Sequence, residues 1–234
     1  DQFYLAMGVI ALALLSKAFL LRHGRHIFNP SALGIAVVGV LCITMPDLYP
    51  YRDIAHQLNL PPNMLEIIFL LALLPQARVP IVLVSLASVL TIYPLASLHP
   101  LMRPGPMWPA IFLAITLLAT DPSTIPRTGI GRVAFGVVLG LGTVAMSTLL
   151  ELGGTSDFFG KVFAIPLANV LVPWFDGLST RLPPWLEDSL SARKNAQHVV
   201  AWAVLILVWT YSGDSKQGGF EASWHEESRT PLVV

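Results

Sequence analysis

The stretch RVAFGVVLGLGTVAMSTLL, from Arg132 to Leu150, carries its one charge on its first residue and is otherwise apolar or small. A helix needs about 20 such residues to cross the hydrocarbon of a bilayer, whereas buried strands of soluble proteins stop at about eight. Within it, Gly136-x-x-x-Gly140 has the small-residue spacing at which two helix backbones touch. No strand pattern precedes these glycines, so they read as a packing device and not as a nucleotide loop.

Working outward, similar blocks occupy Phe3–Leu21, Pro30–Pro46, Val79–Leu98, Met107–Thr120 and His198–Tyr211. Met64–Pro75 is shorter, and Lys161–Phe175 is interrupted by Pro166 and Pro173. Proline removes a helical hydrogen bond, so both segments suit the inside of a bundle or half-helices better than lipid-facing rods. The expected fold is all-α: a polytopic transmembrane helix bundle of about six to eight segments, some short or Pro-broken.

Composition agrees. Of 234 residues, 54% are hydrophobic and 12% charged, about half the charge a soluble domain carries. Mean hydropathy is +0.67. Net charge is zero, which speaks against nucleic acid as a partner. The single cysteine, Cys42, excludes an internal disulfide and reads as a small core residue. The start at Asp1, with neither a basic n-region nor an Ala-x-Ala site, is no secretory signal and reads as a point inside a longer protein.

With eight segments, nine Lys and Arg, among them Arg22, Arg25, Arg127 and Arg132, fall on one side and five on the other. Positive charge marks the cytoplasmic side. The expected location is a bacterial inner membrane, with the Asp47–Pro62 loop, Gly153–Gly160 and the polar tail after Ser212 outside. Trp108, Trp174, Trp202 and Trp209 sit near predicted helix ends, where interfacial anchors belong. Leu182–Gln197, with Glu187, Asp188, Arg193 and Lys194, reads as a short surface helix.

Three stretches place polar or helix-breaking residues where plain lipid-facing helices would not. In the first, Asn29 precedes Pro30 at a helix start, which is either an ordinary cap or an anion-attracting N-terminus. In the second, Thr120 and Asp121 precede Pro122 and Ser123, which is either a local turn or a functional carboxylate. In the third, Asn169 lies inside an apolar segment shortly before Asp176. An unpaired amide there costs a few kcal/mol, so Asn169 bonds either a neighbouring helix or a ligand. The histidines all fall in loops or at helix ends. His23 and His26, flanked by Arg22 and Arg25, read as an interfacial basic patch. No cluster has metal-ligand spacing.

These stretches resemble the RnfD/NqrB family, membrane subunits of Rnf and Nqr electron-transfer complexes. The matching residues are Lys17, Gly24, Phe28-Asn29-Pro30, Ala119-Thr120-Asp121-Pro122, Gly131-Arg132, Phe135-Gly136-x-x-x-Gly140, Phe163-Ala164, Leu167-Ala168-Asn169 and Val172-Pro173-x-x-Asp176. The resemblance spans residues 1–181. It leaves 182–197 as an interfacial segment, 198–211 as an added transmembrane helix and 212–234 as a polar tail. It implies a multi-subunit electron-transfer complex as partner, within a lipid bilayer. It also implies a cofactor role for Asn29, Pro30, Thr120, Asp121, Asn169 and Asp176.

Family members attach FMN to a threonine in an external loop. The corresponding Asp47–Pro62 loop holds neither serine nor threonine, so covalent FMN is not expected and a flavin would be held non-covalently. A Ser-Gly-Ala-Thr motif frequent in the family is replaced by Trp108-Pro109-Ala110-Ile111. Three readings stay open: a redox subunit, a non-catalytic scaffold of another respiratory, photosynthetic or biosynthetic complex, and an ion or small-molecule carrier.

Overall fold

A computed structural model describes residues 2–22, 24–45, 64–98, 108–155, 159–178 and 183–211. The Asp47–Pro62 loop and the tail after Ser212 lie outside them.

The described secondary structure is helical apart from one hairpin of two two-residue strands. Helix α1 (Gln2–Phe19) leads through strands β1 (Leu21–Arg22) and β2 (Arg25–His26) into α2 (Pro30–Thr44). Gly24 turns the hairpin at φ 75°, a conformation that costs glycine nothing. Helices α3 (Met64–Arg78) and α4 (Val82–Leu98) follow, then α5 (Trp108–Leu113), which widens into a π-helical turn over Ala114–Leu118. The long α6 (Gly129–Leu152) is followed by α7 (Gly160–Val170), α8 (Val172–Asp176), α9 (Pro184–Ser189) and α10 (Asn195–Tyr211).

Each expected segment forms a helix, with instructive differences. Among the described residues only α6, at 24 residues, meets the length and hydropathy of a full crossing. Helix α2 has 15 residues, a rise of roughly 22 Å. Helix α3 continues past Pro75 to Arg78, because a proline inside a helix need not end it when neighbours support the freed carbonyl. The Lys161–Phe175 segment breaks at Leu171 into α7 and α8. There Pro173 occupies the first turn of α8, where its missing N–H is harmless. The surface segment folds as α9 and a short 3₁₀ turn over Ala192–Lys194.

Glycine brings the central helices together. A Cβ on Gly136 would lie 2.6 Å from the Val84 carbonyl of α4, and one on Gly140 would lie 2.8 Å from Thr91 Cβ. The Gly136/Gly140 pair therefore seats α6 on α4 as its spacing predicts, and Ser88 Oγ donates across that seam to the Gly136 carbonyl at 3.1 Å. Gly160 abuts Ser147 where α7 meets α6. Lys161, in the first turn of α7, is buried.

The surface is inverted relative to a soluble bundle. Met7, Ile10 and Leu14 of α1, Leu70, Leu71 and Leu74 of α3, and Val200, Val204 and Leu207 of α10 are all exposed. Thr116 and Thr143 point inward instead. Their hydroxyls bond carbonyls of their own helix, Thr116 to Phe112 at 2.7 Å and Thr143 to Leu139 at 2.8 Å. A contiguous apolar exterior of this extent fits hydrocarbon, not water. Trp202 corrects the interfacial reading: it is fully buried and stacks on Phe112 with ring centroids 5.7 Å apart. It faces the α3–α4–α5 seam because α10 packs there.

Candidate functional site

The hairpin, the 119–128 loop, the C-terminal end of α7 and the N-terminal ends of α2 and α6 meet at one end of the bundle. Asn29 caps α2, its Oδ1 accepting the Ala32 N–H at 2.9 Å. Its Nδ2 donates to the Leu118 carbonyl at 2.8 Å. That carbonyl belongs to the last turn of the π-helical segment, where no further turn would otherwise satisfy it. The Asn29 backbone N–H donates to Asn169 Oδ1 at 3.1 Å, and Asn169 Nδ2 donates to the Thr124 carbonyl at 3.1 Å. Two buried amides thus fasten α2, α7 and the 119–128 loop together. Asn169 bonds neighbouring elements, one of the two roles its apolar setting allowed.

Thr120 is buried, and its hydroxyl donates to the Thr116 carbonyl. The Asp121 carboxylate accepts the Ser123 N–H at 3.0 Å and the Ser123 hydroxyl at 2.8 Å. That is a local turn of the kind Asp favours. Asp176 Oδ1 accepts the Arg127 N–H at 2.6 Å and the Thr128 N–H at 3.4 Å, just ahead of α6. Thr128 caps α6 through the Gly131 N–H, and Glu187 Oε1 accepts the Gly129 N–H at 3.4 Å. Two carboxylates therefore stand at the positive end of the longest described helix, where its macrodipole favours them.

A cavity of about 370 Å³ opens beside this joint. Arg22, Arg25 and His26 line it from the hairpin, and Ser123 and Arg127 from the loop. Asn169 and Asp176 close the other wall. Arg25 is anchored there, Nη2 donating to the Pro122 carbonyl at 3.0 Å. The lining is net basic. Of its residues, sequence reasoning places Arg22, Arg25 and His26 in a basic patch but misses Arg127. An Arg immediately before a capped helix (Arg127-Thr128-Gly129) is the available signal.

The six residues expected at a cofactor are thus brought to one end of the bundle, yet their polar groups are engaged with the protein. A flavin ring is usually held by apolar and aromatic walls with a few oriented polar groups. Among the described residues this lining contributes three guanidinium groups and no Phe, Tyr or Trp. Its guanidinium groups suit an anion.

Inverted burial, helices sealed by glycine and hydroxyls satisfied within their own helix define an integral membrane protein of the helical class. The sequence profile of the NQR2, RnfD, RnfE family matches residues 64–182, about half of the chain. The chain belongs to that family. Asn29 and Pro30 lie ahead of the matched range, yet Asn29 joins it through Leu118 and Asn169. The chain is also similar to the D component of the ion-translocating oxidoreductase complex of Mannheimia succiniciproducens. The two are 38% identical over 78 residues, which cover 31% of this chain and 20% of that relative. The matched part thus spans about one fifth of the relative's length.

Proposed function

We propose that the chain is a membrane subunit of an ion-translocating electron-transfer complex of the Rnf/Nqr kind, carrying no covalently attached flavin. Family membership, together with the Mannheimia relative, is the observation that carries this reading. Other subunits of the complex are its partners, and the bilayer of a bacterial inner membrane is its setting.

The topology we propose has eight crossings, with α7 and α8 counted as one. It is supported by how the helix ends meet. Asn195 Nδ2 at the start of α10 donates to the Gln76 carbonyl near the end of α3 at 2.8 Å, and the Gly129 N–H at the start of α6 donates to Glu187 ahead of α10. Every helix start or end bearing Arg22, Arg25, Arg78, Arg127 or Arg132 therefore gathers at one face, which positive-inside bias assigns to the cytoplasm.

The test is mild-detergent purification from native membranes, followed by denaturing electrophoresis under ultraviolet light and by mass analysis. The expected result is co-purification with oxidoreductase subunits and no fluorescent band at this chain's mass. Denaturation-resistant flavin fluorescence on this chain would overturn the non-covalent part. Recovery with an assembly that contains no redox subunit would instead establish the scaffold reading. Substrate uptake into proteoliposomes, abolished by Asn169→Ala, would establish the carrier reading.

A further inference from the structure

Neither the electron-transfer reading nor the asparagine joint uses Arg22, Arg25 and Arg127, although all three line one cavity. Gathering cations around a single concave site raises its potential unless an anion offsets them. Among the described residues, neither Arg22 nor Arg25 forms an ion pair with a carboxylate. The acidic residue in the lining, Asp176, is turned onto the N–H groups of Arg127 and Thr128. His26 Nδ1 is buried with no hydrogen-bond partner among the described residues. Arg25 spends one guanidinium nitrogen on the Pro122 carbonyl, which holds the side chain in place. The guanidinium has five N–H donors in a planar fork, so it keeps donors for a tetrahedral oxyanion.

We propose that this cavity binds a phosphate group. The rim bears on where that phosphate comes from. Val170 lines the cavity and is half exposed; Leu171 and Trp174 beyond it, and Leu21 beside Arg22, are exposed as well. These apolar surfaces continue from the cavity onto the outside of the bundle, where acyl chains lie. Basic pockets between membrane helices on the cytoplasmic side suit anionic head groups. An anionic phospholipid, head group in the cavity and chains over Val170 and Leu171, satisfies both halves of the site. A soluble phosphate satisfies only one.

The experiment is native mass spectrometry of the whole chain in mild detergent, titrated with phosphatidylglycerol or phosphatidylcholine, with inorganic phosphate as a competitor. The expected result is an adduct selective for phosphatidylglycerol that Arg22→Gln and Arg127→Gln each weaken about tenfold, one charge-assisted bond apiece. Neither guanidinium makes a hydrogen bond among the described residues, and a parallel thermal midpoint checks that both variants fold. Arg25→Lys keeps the charge and loses the fork, and it too weakens the adduct. An adduct that survives millimolar phosphate marks the lipid source. Displacement by phosphate, with phosphate alone raising the thermal midpoint, marks the soluble one. Equal retention of the two lipids without any phosphate effect, or unchanged binding in folded arginine variants, overturns the proposal and leaves the electron-transfer reading untouched.

Discussion

Asn169 is 2% exposed and satisfies two buried backbone groups on two other elements. Its replacement strands the Asn29 N–H and the Thr124 carbonyl where water cannot easily reach them. Asn169→Ala should lower unfolding stability by about 1–3 kcal/mol. A drop in the thermal midpoint of the detergent-purified protein checks this. Asn29→Ala removes the side-chain bonds to Ala32 and Leu118 but keeps the backbone N–H that Asn169 accepts, so in a double-mutant cycle the direct Asn29–Asn169 bond gives no shared loss. Asp121 gives a contrasting case. Its carboxylate closes a local turn with Ser123, which a carbonyl oxygen can also close, so Asp121→Asn should change the midpoint little. The sequence alone identifies both residues as unusual but cannot distinguish a local turn from a long-range bond, since neighbours in sequence do not reveal neighbours in space.

Helix α6 shows how much an element's packing rests on a few missing side chains. At Gly136 an added Cβ would meet backbone at 2.6 Å, and backbone cannot rotate away as a side chain can. Gly136→Val should therefore separate α6 from α4, costing about 1–3 kcal/mol or more as overpacking does. Gly8→Ala, with nothing within 4 Å of the added carbon, should be neutral or slightly stabilising through helix propensity. Reading both by thermal midpoint in one detergent separates packing from expression. The surface turn around α9 behaves differently. Lys194 Nζ donates to Asp188 Oδ2 at 2.7 Å, and this hydrogen bond, followed by the charge of Lys194, holds the Asp188 carboxyl below its ordinary range. A depressed carboxyl stabilises the fold above its unfolded pKa, and the benefit disappears as pH falls through the folded value. Because Asp188 is fully solvated the contribution is small. Carboxyl NMR should show Asp188 titrating at lower pH than a free aspartate, and Lys194→Ala should move it back up.

For the whole molecule, the decisive prediction concerns sidedness. Ser189 and Glu151 are both exposed. Ser189 lies at the end of the bundle that holds the basic cavity, and Glu151 lies at the far end of α6. In a Cys42→Ala background, an impermeant maleimide applied from the side that the proposed topology places outside should label Glu151→Cys and spare Ser189→Cys. Ser189→Cys should become reactive once the membrane is opened. Labelling in the reverse order would invert the topology and place the arginine cavity outside.

The helices of this protein were legible from the sequence by itself, because hydropathy, proline positions and the Gly136/Gly140 spacing act over a few residues and need no knowledge of distant partners. So was the capping of α2 by Asn29-Pro30. The tertiary structure alone decided that Asn169 would bond Asn29, which lies 140 positions away. It also decided that Asp176 would turn onto the backbone ahead of α6, that Trp202 would go to the core, and that three arginines would line one cavity. Those outcomes depend on how glycine-close helices bring remote segments to one end of the bundle, and long-range geometry of that kind leaves no periodic trace along the chain.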